Sequence, residues 1–144
     1  FSPHRRRQDP ETCVAATAGL TMTTHSLARS LSQTEFGLFA RISGDNNPIH
    51  VDAEFSSRTR FGRTVSHGML LYTVLWGLVQ MHYPGARQSG QTLMFPNPAY
   101  ADEALRFEIT EVIAEGDRRE LAAKVSRVAD NAIVLDSKTV ISPS

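Results

Sequence analysis

The sequence predicts an α+β domain in which one long buried helix lies against a strongly curved antiparallel sheet. Three observations carry this expectation. Residues 68–85, GMLLYTVLWGLVQMHYPG, set Met69, Leu70, Leu71, Val74, Leu75, Leu78, Val79 and Met81 around most of a helix, and a helix apolar nearly all round belongs in a core or a membrane. Tyr72, Thr73, Gln80 and His82 interrupt the segment, which falls short of the ~18 uninterrupted apolar residues that favour a span. After this helix the chain alternates apolar and polar residues with period two between short turns, as half-buried strands do. A flat sheet covers one side of such a helix; a sheet curled round it, or a second copy of the chain, covers the rest.

The elements follow in order. Residues 23–31, TTHSLARSL, put Leu27, Arg29 and Leu31 on one side of an extended chain and predict a strand. Ser32 and Glu35 stand at capping-box spacing. Phe36, Phe39, Ala40 and Ser43 recur at helical spacing, and Gly44 ends the helix, so Asp45 is expected just past its C-terminus. Pro48 pushes Asn47 into extended backbone, and Asp52 is placed to cap a short helix. RFGRTVSHG, residues 60–68, reads as a loop into the buried helix, which Pro84 and Gly85 terminate. SGQTLMFPNPAY is extended, its two prolines marking a bend or an edge. LRFEITEV, ELAAKVSRV and AIVLDSKTVIS read as strands separated by the turns EGDRR and ADN.

The 144 residues fit one domain, read as 23–144 behind a tail at 1–22. The tail contains Arg5 to Arg7, but no apolar run of ~7–15 residues follows them, so a secretory signal is not expected. The single cysteine, Cys13, excludes an internal disulfide framework and fits a reducing compartment. The expected location is the cytoplasm, or an organelle matrix if the arginines are a targeting remnant. Fifteen basic residues balance fifteen acidic ones. Neither a nucleic acid nor a membrane is an expected partner, and the absence of net self-repulsion makes a homodimer or higher homo-oligomer easy to accept. No histidine and carboxylate set has metal-ligand spacing, and there is no phosphate loop or dinucleotide fingerprint; neither metal nor cofactor is expected.

The chemically dense stretch is GDNNPIH, Gly44 to His50. It is good turn chemistry, since Asp and Asn bond nearby backbone and Pro fixes the bend. It also sets a carboxylate and an imidazole, Asp45 and His50, on a kinked segment that can turn both towards one water as a general acid–base pair. SHG, Ser66 to Gly68, opens the buried helix. Amides at a helix N-terminus are unpaired and carry partial positive charge, and glycine admits a ligand close to the backbone. A carbonyl oxygen gaining charge would be stabilised there.

Residues 39–70, FARISGDNNPIHVDAEFSSRTRFGRTVSHGML, resemble the signature of the MaoC-like, (R)-specific enoyl-CoA hydratases. Ile42 to His50 fill its motif of an aliphatic residue, Ser/Thr, Gly, Asp, any residue, Asn, Pro, an aliphatic residue and His; RFGRTVSHGML resembles its loop into the central helix. The resemblance extends over about residues 23–142. It implies a hot-dog fold, a long helix wrapped by a curved antiparallel sheet and paired as a homodimer. It implies catalytic Asp45 and His50, an oxyanion donor at the Gly68 backbone NH, and supporting roles for Asn47, Ser66 and His67. The implied reaction is (R)-specific hydration of a trans-2-enoyl-CoA to a 3-hydroxyacyl-CoA, or its reversal. A 3-hydroxyacyl-carrier-protein or branched dicarboxylyl-CoA dehydratase and a non-catalytic acyl-thioester-binding module are the alternatives. Arg58, Arg60 and Arg63 are candidate contacts for the CoA nucleotide, Tyr72 or Trp76 for shortening an acyl tunnel, and Asn97 for a polar acyl contact.

Overall fold

The structure, a computed structural model, describes residues 22–142. The expectations for Arg5 to Arg7, Cys13 and, apart from Met22, the tail lie outside the described residues. Strand β1 (Thr24–Arg29) leads into helix α1 (Gln33–Ser43). The predicted capping box forms: Ser32 Oγ accepts from the Glu35 amide at 3.1 Å, and Glu35 Oε1 accepts from the Ser32 amide at 3.2 Å. Arg29, which the alternation grouped with Leu27, lies exposed and turns its guanidinium to Glu35. Gly44 takes the left-handed φ of 79° and its amide returns to the Ala40 carbonyl at 3.0 Å, a conformation glycine adopts without a Cβ penalty.

One element was not foreseen. Pro48 opens a four-residue helix, α2 (Pro48–Val51), while Asn47 ahead of it is extended as expected, with φ −53° and ψ 128°. Proline disfavours the helical conformation in the residue before it, yet suits the first helical position, where its missing N–H would have no partner. Asp52 caps the expected short helix α3 (Ala53–Ser57), its Oδ1 accepting from the Phe55 amide at 3.0 Å. The long helix α4 (Gly68–His82) follows, then β2 (Arg87–Met94), β3 (Leu105–Glu115), β4 (Arg118–Arg127) and β5 (Ile133–Ser142).

The five strands form one antiparallel sheet in the order β1-β3-β4-β5-β2. Register shifts at Gln88/Gly90, Glu111/Ile113 and Val125/Ser126 interrupt three of the ladders, and bulges of this kind bend and twist strands. Helix α4 packs on β1, β3, β4 and β5. Leu71, Leu75, Leu78 and Val79 meet Leu105, Phe107, Ile109, Leu121, Val125 and Leu135 in a common buried core. The helix is not buried all round: Met69 (47% exposed), Thr73, Gly77 and Met81 (64% exposed) recur every fourth residue as an exposed stripe.

At the far end of α4, His82 stacks on His25 of β1 with ring centroids 3.6 Å apart. His82 is exposed overall, but partial desolvation, followed by repulsion from His25, holds it below its ordinary range. Beside it, the Tyr83 hydroxyl donates to Glu111 Oε2 at 2.6 Å, tying the helix end to β3. Burial and this hydrogen bond push Tyr83 up to about 12. A phenol whose folded pKa exceeds the unfolded value of ~10 stabilises the fold fully below that pH and loses the contribution as pH rises through the folded value. Denaturant titrations between roughly pH 9 and 12 should therefore show stability falling in the native chain and a flatter profile in Tyr83→Phe.

Candidate active site

Asp45 and His50 are brought to one place by the turn between α1 and α3. The Asp45 amide donates to Ser43 Oγ at 3.1 Å. Asn47 Oδ1 accepts from the Ile49 amide at 3.2 Å, and the Asn47 amide makes a longer 3.4 Å contact with Asp45 Oδ1. His50 Nδ1 lies 2.7 Å from the Val65 carbonyl. A carbonyl can only accept, so Nδ1 carries hydrogen and the lone pair of the neutral ring sits on Nε2. That Nε2 lies 3.8 Å from Asp45 Oδ2.

Residues distant in sequence hold this turn. Gln33 Nε2 donates to the His50 carbonyl at 2.9 Å, while Gln33 Oε1 accepts from Thr64 Oγ1. The Ile49 carbonyl accepts from the Val65 amide at 3.0 Å and from the buried Ser56 hydroxyl at 3.1 Å. Sequence reasoning did not single out Gln33, Thr64 or Ser56, and their spacing carries no local signal.

His67, at the N-cap of α4, is 2% exposed. Its Nε2 donates to the Asp45 main-chain carbonyl at 2.9 Å, and its ring stacks on His50 with centroids 3.9 Å apart and 25° between planes. Phe39 meets its ring edge-on at 4.9 Å.

A cavity of about 660 Å³ opens here, lined by Asp45, Ser66, His67 and Gly68 together with Phe39, Phe61, Leu71, Phe95 and Val134. Ser66 is fixed by its amide donating to the Ala99 carbonyl at 2.7 Å. His50 does not line the cavity; it faces Asp45, which does. Of the other sequence candidates, Arg60 and Asn97 reach the lining. Asn97 gives its amide hydrogen to the Ile133 carbonyl at 2.9 Å, and Arg60 lies over the Phe61 ring. Arg63 is taken up by the Tyr100 ring at 4.1 Å and Glu103 at 3.6 Å. Tyr72 and Trp76 stand outside the lining and pack in or against the core; the Tyr72 hydroxyl accepts from Gln88 on the edge strand.

Asp45, His50 and His67 offer three donor atoms within 4.8 Å of one another. The two ring planes lie 25° apart, and each ring already gives one nitrogen to a carbonyl.

The family profile described as "MaoC like domain" matches residues 9–132. The chain is 36% identical over 126 residues to a 3-hydroxybutyryl-CoA dehydratase of Methylorubrum extorquens, covering 82% of this chain and 76% of the relative. It is 33% identical over 104 residues to an (R)-specific enoyl-CoA hydratase of Aeromonas caviae, covering 71% and 77%. Among solved structures, the unliganded R-hydratase PhaJ1 from Pseudomonas aeruginosa superposes with a TM-score of 0.79 at 28% identity, covering 84% of this chain and 79% of that one. The helix-and-sheet architecture is the hot-dog fold.

The Phe95 ring lies against Gly68, where an added Cβ would come within 2.7 Å of its Cε1 and Cζ. Gly68→Ala should destabilise the chain by about 1 kcal/mol through overpacking, and should do so much less in a Phe95→Ala background. A double-mutant cycle in urea measures this coupling; strict additivity would show that the two residues do not press on each other.

Proposed function

Because the chain belongs to the MaoC-like domain family and is a hydro-lyase acting on acyl thioesters, we propose that Asp45, His50 and the Gly68 amide carry its chemistry. The observation that supports this most is the 3.8 Å gap between Asp45 Oδ2 and His50 Nε2 at a cavity that also contains Gly68. A water oxygen ~2.8 Å from both atoms closes such a gap at an angle of about 85°, a comfortable geometry for one molecule donating to two acceptors.

The substrate is a trans-2-enoyl-CoA, hydrated to the (R)-3-hydroxyacyl thioester, or the hydroxyacyl compound dehydrated in reverse. Conjugation with the thioester makes the β-carbon electrophilic. The water oxygen bonds to that carbon, the C=C pair moves towards the carbonyl, and charge gathers on the thioester oxygen. The Gly68 N–H, at the positive end of α4, stabilises that oxygen; one such donor is worth ~2.7–4 kcal/mol. The proton leaving the water passes to the Asp45–His50 pair, and the α-carbon receives one, so no proton is gained or lost overall. No metal or cofactor enters this scheme; the thioester is the substrate. Asn47 and Ser66 act as supports, fixing the turn and the loop before α4.

The working unit is a homodimer, a reading supported by the exposed Met69, Met81 and Met94. Among the described residues no helix is long and apolar enough to cross a membrane. The proposed compartment is a reducing one, cytoplasm or organelle matrix, on the strength of the single cysteine.

Incubation with crotonyl-CoA should consume the enoyl-thioester absorbance without releasing CoA thiol, and Asp45→Asn and His50→Ala should each lower kcat by ~10²–10⁴-fold with the fold intact. Full activity in either variant would remove that residue from the site, and thiol release without hydroxyacyl product would indicate a thioesterase. A matched carrier-protein substrate separates the CoA and carrier-protein readings. Sedimentation equilibrium should give twice the chain mass; a monomer would overturn the dimer.

A further inference from the structure

We infer that His67 is the positioning residue of the Asp45–His50 pair, holding the main chain of one member and the ring of the other. This rests on the reading of that pair given above. The two contacts are of different kinds and come from one side chain. Nε2–H donates to the Asp45 carbonyl at 2.9 Å, and the ring face supports the His50 imidazole at 3.9 Å.

Asp45 follows a left-handed glycine at the end of α1, where the chain has left the helical ladder and its carbonyl needs a donor from elsewhere. A glutamine would supply a donor without a flat face, and a phenylalanine a face without a donor. Histidine supplies both within one small ring. Phe39 and the burial of the side chain leave that ring little freedom.

The ring's protonation is set by the same contacts. With hydrogen on Nε2, the lone pair lies on Nδ1, which is buried without a hydrogen-bond partner. A proton there would have no acceptor and would place a cation against His50. Burial holds His67 below the ordinary imidazole range, and His50 adds to the effect against the pull of the Asp45 carbonyl. His67 is therefore a neutral fixture, and the proton traffic belongs to its two neighbours.

The test pairs spectroscopy with kinetics. In the native chain, long-range ¹H–¹⁵N correlation of the histidine rings should show His67 as the neutral Nε2–H tautomer at pH 7. The Nδ1–H tautomer or an imidazolium would overturn the inference, whatever the enzyme turns over. His67→Phe keeps a face and loses the donor; its kcat for crotonyl-CoA should fall about 10–100-fold, the scale of a small misplacement of catalytic groups, with KM within about threefold. His67→Gln restores a donor and should recover several-fold of that loss. If both variants keep native kcat per folded molecule, or raise KM while kcat stays, His67 does not position the pair. If His67→Phe fails to fold, His67→Gln and the native tautomer decide the question. If the native chain acts on no acyl thioester, the proposed function fails, and the tautomer still tests the contact.

Discussion

Val65 makes two hydrogen bonds to the turn that carries Asp45 and His50: its amide donates to the Ile49 carbonyl at 3.0 Å, and its carbonyl accepts from His50 Nδ1 at 2.7 Å. It also forms an isolated antiparallel bridge with Tyr100, and its neighbour Ser66 bonds Ala99. One buried residue thus locks together the short helix α2, the approach to α4 and the segment after β2. Each bond alone is worth only about 1 kcal/mol. Their joint effect is geometric, because they fix His50 in tautomer and direction, and so decide which nitrogen faces Asp45.

Around that junction the fold is organised by the mismatch between a mostly apolar helix and a sheet that covers it in part. Leu71, Leu75, Leu78 and Val79 are removed from water by β3, β4 and β5, which supplies the dominant favourable term. Met69 and Met81 remain exposed on the opposite stripe. Gly68 begins the same helix, so its amide is aimed by the packing of the shaft and by Phe95 lying against it.

Much of this was legible in the sequence, and most of what was not depends on contacts between residues far apart in the chain. Asp45, His50 and Gly68 could be placed because their signals are local: a left-handed glycine, turn-forming Asp and Asn, and a glycine opening an apolar helix. The strands could be placed because Leu105, Phe107 and Ile109 alternate with polar residues, and their burial follows. The order of strands could not, since β2 joins β5 and β1 joins β3 across long stretches of chain. Gln33 with Thr64, Phe95 with Gly68 and His67 with His50 are likewise pairs made by tertiary packing, to which neither periodicity nor spacing is sensitive. The short helix at Pro48 escaped for another reason: proline constrains the residue before it to extended backbone, while at a first helical position it also initiates a helix. The alternation also grouped Arg29 with Leu27, although a cation is drawn to Glu35 and to solvent instead of the core.

The tie between Tyr83 and Glu111 fastens one end of a 15-residue rod whose other end is Gly68. Such a rod is about 22 Å long, so a tilt of only ~2° about that anchor would sweep the far amide by about 0.8 Å. Displacements of about 1 Å are enough to slow a reaction ~10²-fold. The Tyr83–Glu111 bond thus acts with the packing of the shaft as a fixed point far from Gly68, and a loosening there would be magnified along the arm.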